Sequence, residues 1–101
     1  MKNNYLNKEI RLKYDKASEK YYAFCISSGD HYILTRTAYL ILELIEQGKN
    51  TNEITNFIHK KEKIDLDICT TDTKQFINKC IKNGIIINNR EVNTNDKKRQ
   101  N

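Results

Sequence analysis

The chain has no proline, only three glycines and no apolar run approaching the ~18 residues a membrane span requires. With no proline, no strand edge is blunted by a residue that lacks an N–H, and helix ends depend on glycine and side-chain caps. Cysteine is scarce as well. Cys25, Cys69 and Cys80 are odd in number and scattered, which excludes both a disulfide framework and a metal-ligand spacing. The amino end, Met1-Lys2-Asn3-Asn4-Tyr5, is polar, and no apolar stretch follows that could serve as a signal sequence. These absences lead to the expectation of a cytoplasmic chain with no membrane attachment.

The 101 residues suffice for one small domain. Apolar residues at 38% and charged residues at 31% give a globular balance rather than a disordered one. A domain of this size leaves little room for a deep cavity, so function is expected in surface grooves or at sheet edges. The net charge of +5 suggests nucleic acid until it is located. Residues 1–20 carry six basic and three acidic side chains, residues 89–101 carry four and two, and 21–88 carry eight of each. The excess therefore sits at the ends. The expected organisation is a flexible lead over 1–8, a domain over 9–88 and a polar basic tail over 89–101.

Within the domain the periodicity changes once. Ile10, Leu12 and Tyr14 alternate with Arg11 and Lys13, the pattern of a half-buried strand. Tyr21 to Ser27 reads as a second strand with Tyr22, Phe24 and Ile26 on one face. Gly29-Asp30 suits a tight turn, and His31 to Leu34 returns as a short third strand. From Thr35 the spacing is helical: Ala38, Ile41, Leu42 and Ile45 follow Thr35 as N-cap and precede Gly48 as stop. Asn50 and Glu53 have capping-box spacing ahead of Ile54, Phe57 and Ile58. A charged connector, KKEKIDLD, leads to a third helix expected near Thr70, with Asp72 in its first turn. Its apolar stripe is Thr73, Phe76, Ile77, Cys80 and Ile81, and Gly84 ends it. The order is three strands, then three helices.

Catalytic chemistry is missing from this pattern. His31 and His59 sit on different elements, and neither has a metal-ligand spacing with a cysteine. There is no phosphate-cradling glycine loop and no nucleophile elbow. Cys25 and Cys80 fall on apolar stripes, where cysteine behaves as a small hydrophobe. Glu62, Asp65 and Asp67 lack the glycine and the terminal glutamate of a calcium loop. The reading is of a non-enzyme without catalytic residues, metal or cofactor.

What remains is an edge. The third strand of a meander lies at the side of its sheet, and His31-Tyr32-Ile33-Leu34 carries neither lysine, proline nor a bulge to guard its free N–H and C=O groups. A helix of the same chain could cover such an edge, or a partner peptide could add a strand to it. On the third helix Ile81 lies at one margin of the core stripe, with Lys74 and Asn78 beyond it. Facing a bare strand, that rim would form a groove for a peptide with both apolar and acidic residues. The candidate peptide-binding set is His31, Tyr32, Ile33, Leu34, Lys74, Ile77, Asn78 and Ile81. For Ile77 and Ile81 ordinary core packing is the competing role.

These residues resemble the PqqD-like domains, also called RiPP recognition elements, over roughly residues 9–87. Leu34-Thr35-Arg36-Thr37-Ala38 leading into Ile41-Leu42-Glu43-Leu44-Ile45 is similar to that family's strand-to-helix junction. A glycine before the second helix and Glu53-Ile54 within it continue the likeness. Asp72, Phe76, Ile77, Cys80 and Gly84 follow the spacing of the family's Asp-x-x-x-Phe-Leu-x-x-Leu-x-x-x-Gly signature. Two positions depart: Gly48 comes one residue later than the usual Asp-Gly, and Cys80 replaces a leucine. The resemblance implies an α+β fold like a winged helix-turn-helix, a three-stranded antiparallel sheet followed by three helices. It also implies a peptide chaperone of natural product biosynthesis, which binds the leader segment of a ribosomally made precursor peptide as an extra strand on the third strand, against the third helix. The implied second partner is a peptide-modifying enzyme such as a radical-SAM enzyme, a cyclodehydratase or a leader protease. A homodimer through the same edge stays open.

The competing reading is a winged-helix nucleic-acid binder using Lys74, Gln75, Asn78, Lys79 and Lys82 of the third helix. The neutral balance of 21–88 disfavours it, because a DNA-reading module carries its positive charge on the reading face.

Overall fold

Alternation over residues 10–34 builds the sheet. In the computed structural model, which describes residues 4–88, β2 (Ile10–Asp15), β3 (Lys20–Cys25) and β4 (His31–Leu34) form an antiparallel sheet in the order β2-β3-β4. Ile10 pairs with Cys25 across β2–β3, and Phe24 with His31 across β3–β4. One face packs on the helices through Ile10, Leu12, Ala23, Tyr32 and Leu34, with Ala23 fully buried. β3 stops at Cys25, two residues before the expected end, and leaves Ile26 52% exposed in the turn. Gly29 takes φ +79° in that turn, a left-handed conformation that costs a glycine little.

Thr35 caps α1 (Arg36–Glu46): its hydroxyl accepts from the Ala38 N–H at 3.0 Å. At the other end the Gly48 and Lys49 N–H groups donate to the Ile45 and Leu44 carbonyls, a Schellman closure that needs the φ of +90° at Gly48. α1 packs across the whole sheet, burying Ile41, Leu42, Leu44 and Ile45. α2 (Thr51–Glu62) opens with the full capping box, Asn50 and Glu53 exchanging hydrogen bonds at 2.8 and 2.9 Å. Ile54 and Ile58 complete the core, whereas Phe57 stays 41% exposed. Each fully buried leucine or isoleucine here contributes about 1.5–3 kcal/mol of transfer free energy.

Two expectations change. The third helix, α3 (Leu66–Lys82), begins four residues before Thr70. The Asp65 carboxylate accepts from the Asp67 and Ile68 N–H groups, so Asp67 rather than Asp72 occupies the first turn. The charged connector shrinks accordingly: α2 runs to Glu62, and Lys63 turns the chain at φ +56°. Within the lead expected over 1–8, the described residues from Asn4 on also contribute structure. Asn4–Leu6 forms β1, antiparallel to β5 (Ile86–Asn88), with Tyr5 opposite Ile87. Asn7 secures the junction: its N–H donates to the Ile85 carbonyl and its side-chain amide to the Gly84 carbonyl. Burial of Ile86 and packing of Leu6 on the core hold this ribbon in place. The tail expected over 89–101 lies outside the described residues. Among those described, no helix is long and apolar enough to cross a membrane.

Candidate functional site

β4 is one edge of the meander, and its backbone can be oriented residue by residue. The Cys25 N–H donates to the Asp30 carbonyl at 2.9 Å, so Cys25 and Asp30 form a hydrogen-bonded pair. Such pairs alternate along an antiparallel ladder. Ala23–Tyr32 and Tyr21–Leu34 are therefore bonded pairs, while Phe24–His31 and Tyr22–Ile33 are not. It follows that the N–H and C=O groups of His31 and Ile33 point away from β3, along the free edge. Side chains obey the same period. Tyr32 and Leu34 turn toward the core, and His31 and Ile33 turn outward, Ile33 being 70% exposed.

Next to the end of β4 lies a small, mostly apolar cavity of about 170 Å³. Thr35 and Thr37, at the start of α1, form one wall, and Cys69, Asp72, Thr73 and Phe76 of α3 form the other; Ile41 and Ile58 are also among its lining residues. An ion pair between Arg36 and Glu62, at 3.2 Å, ties the start of α1 to the end of α2. A cavity of this size just past the end of a strand can take one apolar side chain of an extended ligand.

The other four candidates lie elsewhere. Lys74, Ile77, Asn78 and Ile81 line a wider groove of about 610 Å³, together with Asn4, Tyr5 and Asn88 of the β1–β5 ribbon and the loop from Gly48. None of His31, Tyr32, Ile33 and Leu34 lines it. The eight residues thus fall into two separate places, because β5 packs on α3 and brings the ribbon to that rim. Ile77 is buried and Ile81 half-buried, so both also serve the core. The rim of α3 beside the β4–α1 junction carries Asp72, Thr73 and Phe76. Their i, i+1, i+4 spacing was visible in the sequence, but only packing reveals which margin of the stripe meets the strand.

Cys25 and His31, the thiol and the imidazole of the sheet, belong to opposite faces. The Ser27 hydroxyl, then that of Ser28, lowers the Cys25 thiol to about 7, with Ser27 Oγ 3.4 Å from the sulfur. His31, one strand over, belongs to the opposite face: its Nδ1 bonds the Gly29 carbonyl at 2.8 Å, and its ring stacks on Phe24. Nucleophile and base are therefore split by the sheet. Burial pushes the Cys80 thiol up to about 11 and that of Cys69 upward. Among the described residues no group of three His, Cys, Asp or Glu side chains could hold a metal ion.

The sequence matches no protein-family profile and no curated protein. The fold does have solved counterparts. One, described as lasso peptide synthetase B1 complexed with the leader peptide, superposes with a TM-score of 0.73 at 18% identity, over 84% of this chain and 98% of that one. A second, TbiB1 in complex with the TbiA(beta) leader peptide, gives a TM-score of 0.72 at 16% identity, over 82% and 94%. The chain shares the fold of these leader-bound proteins across nearly their whole length.

Proposed function

We propose that this chain is a PqqD-like recognition element: it binds the leader segment of a ribosomally made precursor peptide and presents it to a peptide-modifying enzyme. The observation that carries the reading is the free edge of β4, where the His31 and Ile33 backbone groups point away from β3; an apolar cavity opens at Thr35, the residue after the strand. A peptide strand added there would gain main-chain hydrogen bonds along β4 and seat one side chain between Thr35 and Phe76. The presence of leader peptides on both structural counterparts supports the reading. The enzyme receiving the peptide would be a radical-SAM enzyme, a cyclodehydratase or a leader protease.

Fluorescence polarisation against the precursor peptides encoded beside this protein tests it. Ile33→Pro removes a donor that faces away from β3, so the β3–β4 ladder survives. Its expected effect is at least a tenfold loss of peptide affinity with the thermal midpoint nearly unchanged. Normal affinity in this variant would show that β4 is not the docking strand. The helix rim is resolved by a pair of variants. Phe76→Ala is expected to weaken binding and Lys74→Glu to leave it unaltered. The reverse pattern would move the peptide to the ribbon groove.

A further inference from the structure

Beyond the β4 edge itself, the face of the sheet turned away from the helices is not used by the site above. Arg11 and Lys13 from β2, Tyr22 and Phe24 from β3, and His31 and Ile33 from β4 share it by strand alternation. The sheet packs on the core from the other side, through Ile10, Leu12, Ala23, Tyr32 and Leu34, and Tyr21 meets Tyr39 of α1 from that side, ring centroids 4.8 Å apart. The result is an apolar centre with a cationic border. Ile33 is 70% exposed, and Tyr22 and Phe24 are half-buried. Lys20 adds a third cation. The one carboxylate that strands β2–β4 contribute to it, Asp15, is engaged by the Ser18 hydroxyl at 2.6 Å and held below the usual carboxylate range, chiefly by that bond.

Three occupants can be weighed against this surface. Single-stranded nucleic acid stacks successive bases on aromatic faces; here one face of Phe24 is taken by His31, centroids 5.6 Å apart and planes 19° from parallel, which leaves Tyr22 as the main platform. Ile33, the most exposed side chain, has no π-face to offer. A second copy of the chain, docked about a two-fold axis, would set like-charged borders against each other. A different protein with acidic groups around an apolar projection meets neither objection.

The face is also continuous with the proposed peptide site. A strand added to β4 would place its outward side chains about 4.5–5.5 Å from those of His31 and Ile33, on the same surface. We propose that this outer face, widened by the bound peptide strand, is the docking surface for the peptide-modifying enzyme, which presents an apolar projection ringed by carboxylates. The proposal rests on leader binding at β4. It adds that the enzyme reads chain and peptide together, so that each ligand strengthens the binding of the other.

The probe is the purified modifying enzyme encoded beside this protein, measured by calorimetry with and without saturating leader peptide. With the wild-type chain the peptide is expected to raise enzyme affinity at least fivefold. Tyr22→Ser and Lys13→Glu, neither on β4, are expected to keep peptide affinity within about twofold and to lower enzyme affinity at least tenfold. Lys13 is exposed, so Lys13→Glu decides the matter if Tyr22→Ser unfolds. Unchanged enzyme affinity in Lys13→Glu overturns the proposal, as does a parallel loss of peptide affinity. Tight binding of a 12-nucleotide single strand that Tyr22→Ser abolishes overturns it in favour of nucleic acid. If Ile33→Pro binds peptide normally, leader binding at β4 fails. Enzyme titrations without peptide then still report on the face itself.

Discussion

Three cysteines of identical chemistry differ here only through their neighbours. Cys80 and Cys69 face the core, and burial disfavours their thiolates. Cys25 sits at the end of β3, where the Ser27 and Ser28 hydroxyls favour the thiolate and bring its titration to about 7. A group lowered in this way is mostly thiol at pH 6 and mostly thiolate at pH 8, and the thiolate is the reactive form. Iodoacetamide should therefore modify Cys25 first, with a rate that rises through neutral pH, leaving Cys69 and Cys80 intact in the folded protein. Replacing both serines by alanine should shift the Cys25 profile toward the ordinary thiol value of 9.0. Mass spectrometry of modified peptides across a pH series measures both effects, and an unshifted profile in the double variant would exclude the hydroxyls as the cause. None of this was visible in the spacing, where Cys25 and Cys80 read alike as small hydrophobes.

Among the elements, those defined by contiguous residues were the legible ones. Thr35 ahead of an i, i+3, i+4, i+7 pattern, the Asn50–Glu53 box and glycines at 48 and 84 each act within a few residues of themselves. The capping box can be tested directly. Asn50→Ala removes the acceptor for the Glu53 N–H and should cost about 1 kcal/mol. In a domain of this size that lowers the thermal midpoint by roughly 4–8 °C, which circular dichroism can follow, while Asn50→Ser should recover most of the loss. Elements that depend on distant partners were not legible. The start of α3 hid inside a charged run because Asp65 reads as one more solvated carboxylate until its bonds to Asp67 and Ile68 are seen. Strands of three residues, such as β1 and β5, carry too little alternation to register, and their pairing spans 80 residues. Missing that ribbon also hid which rim of α3 it would occupy.

At the scale of the whole molecule, ligand binding and stability are linked. A peptide that binds the folded chain alone stabilises it by about 2.7 kcal/mol at a concentration of 100 times its Kd. The thermal midpoint should then rise by about 10 °C or more, and the Ile33→Pro variant should show no such rise with the same peptide. Charge distribution sets the salt response. Residues 21–88 are balanced, eight basic against eight acidic, so raising salt from 50 to 200 mM should change leader affinity only a few-fold. A phosphate-binding surface with 6–10 contacts would lose about 10³–10⁵ over that interval. A loss of that size would transfer the function to nucleic acid.

By itself the sequence determined the order of three strands and three helices, the punctuation between them, and β4 as an unguarded strand. Those features arise from periodicity and local capping, which act over a few residues. Tertiary structure alone decided that the β1–β5 ribbon closes one side of α3, and that Phe76 and Asp72 rather than Lys74 and Asn78 stand beside the end of β4. A helix stripe has two margins that look alike in one dimension. Which of them meets the strand depends on how buried surfaces far apart in the chain come to pack together.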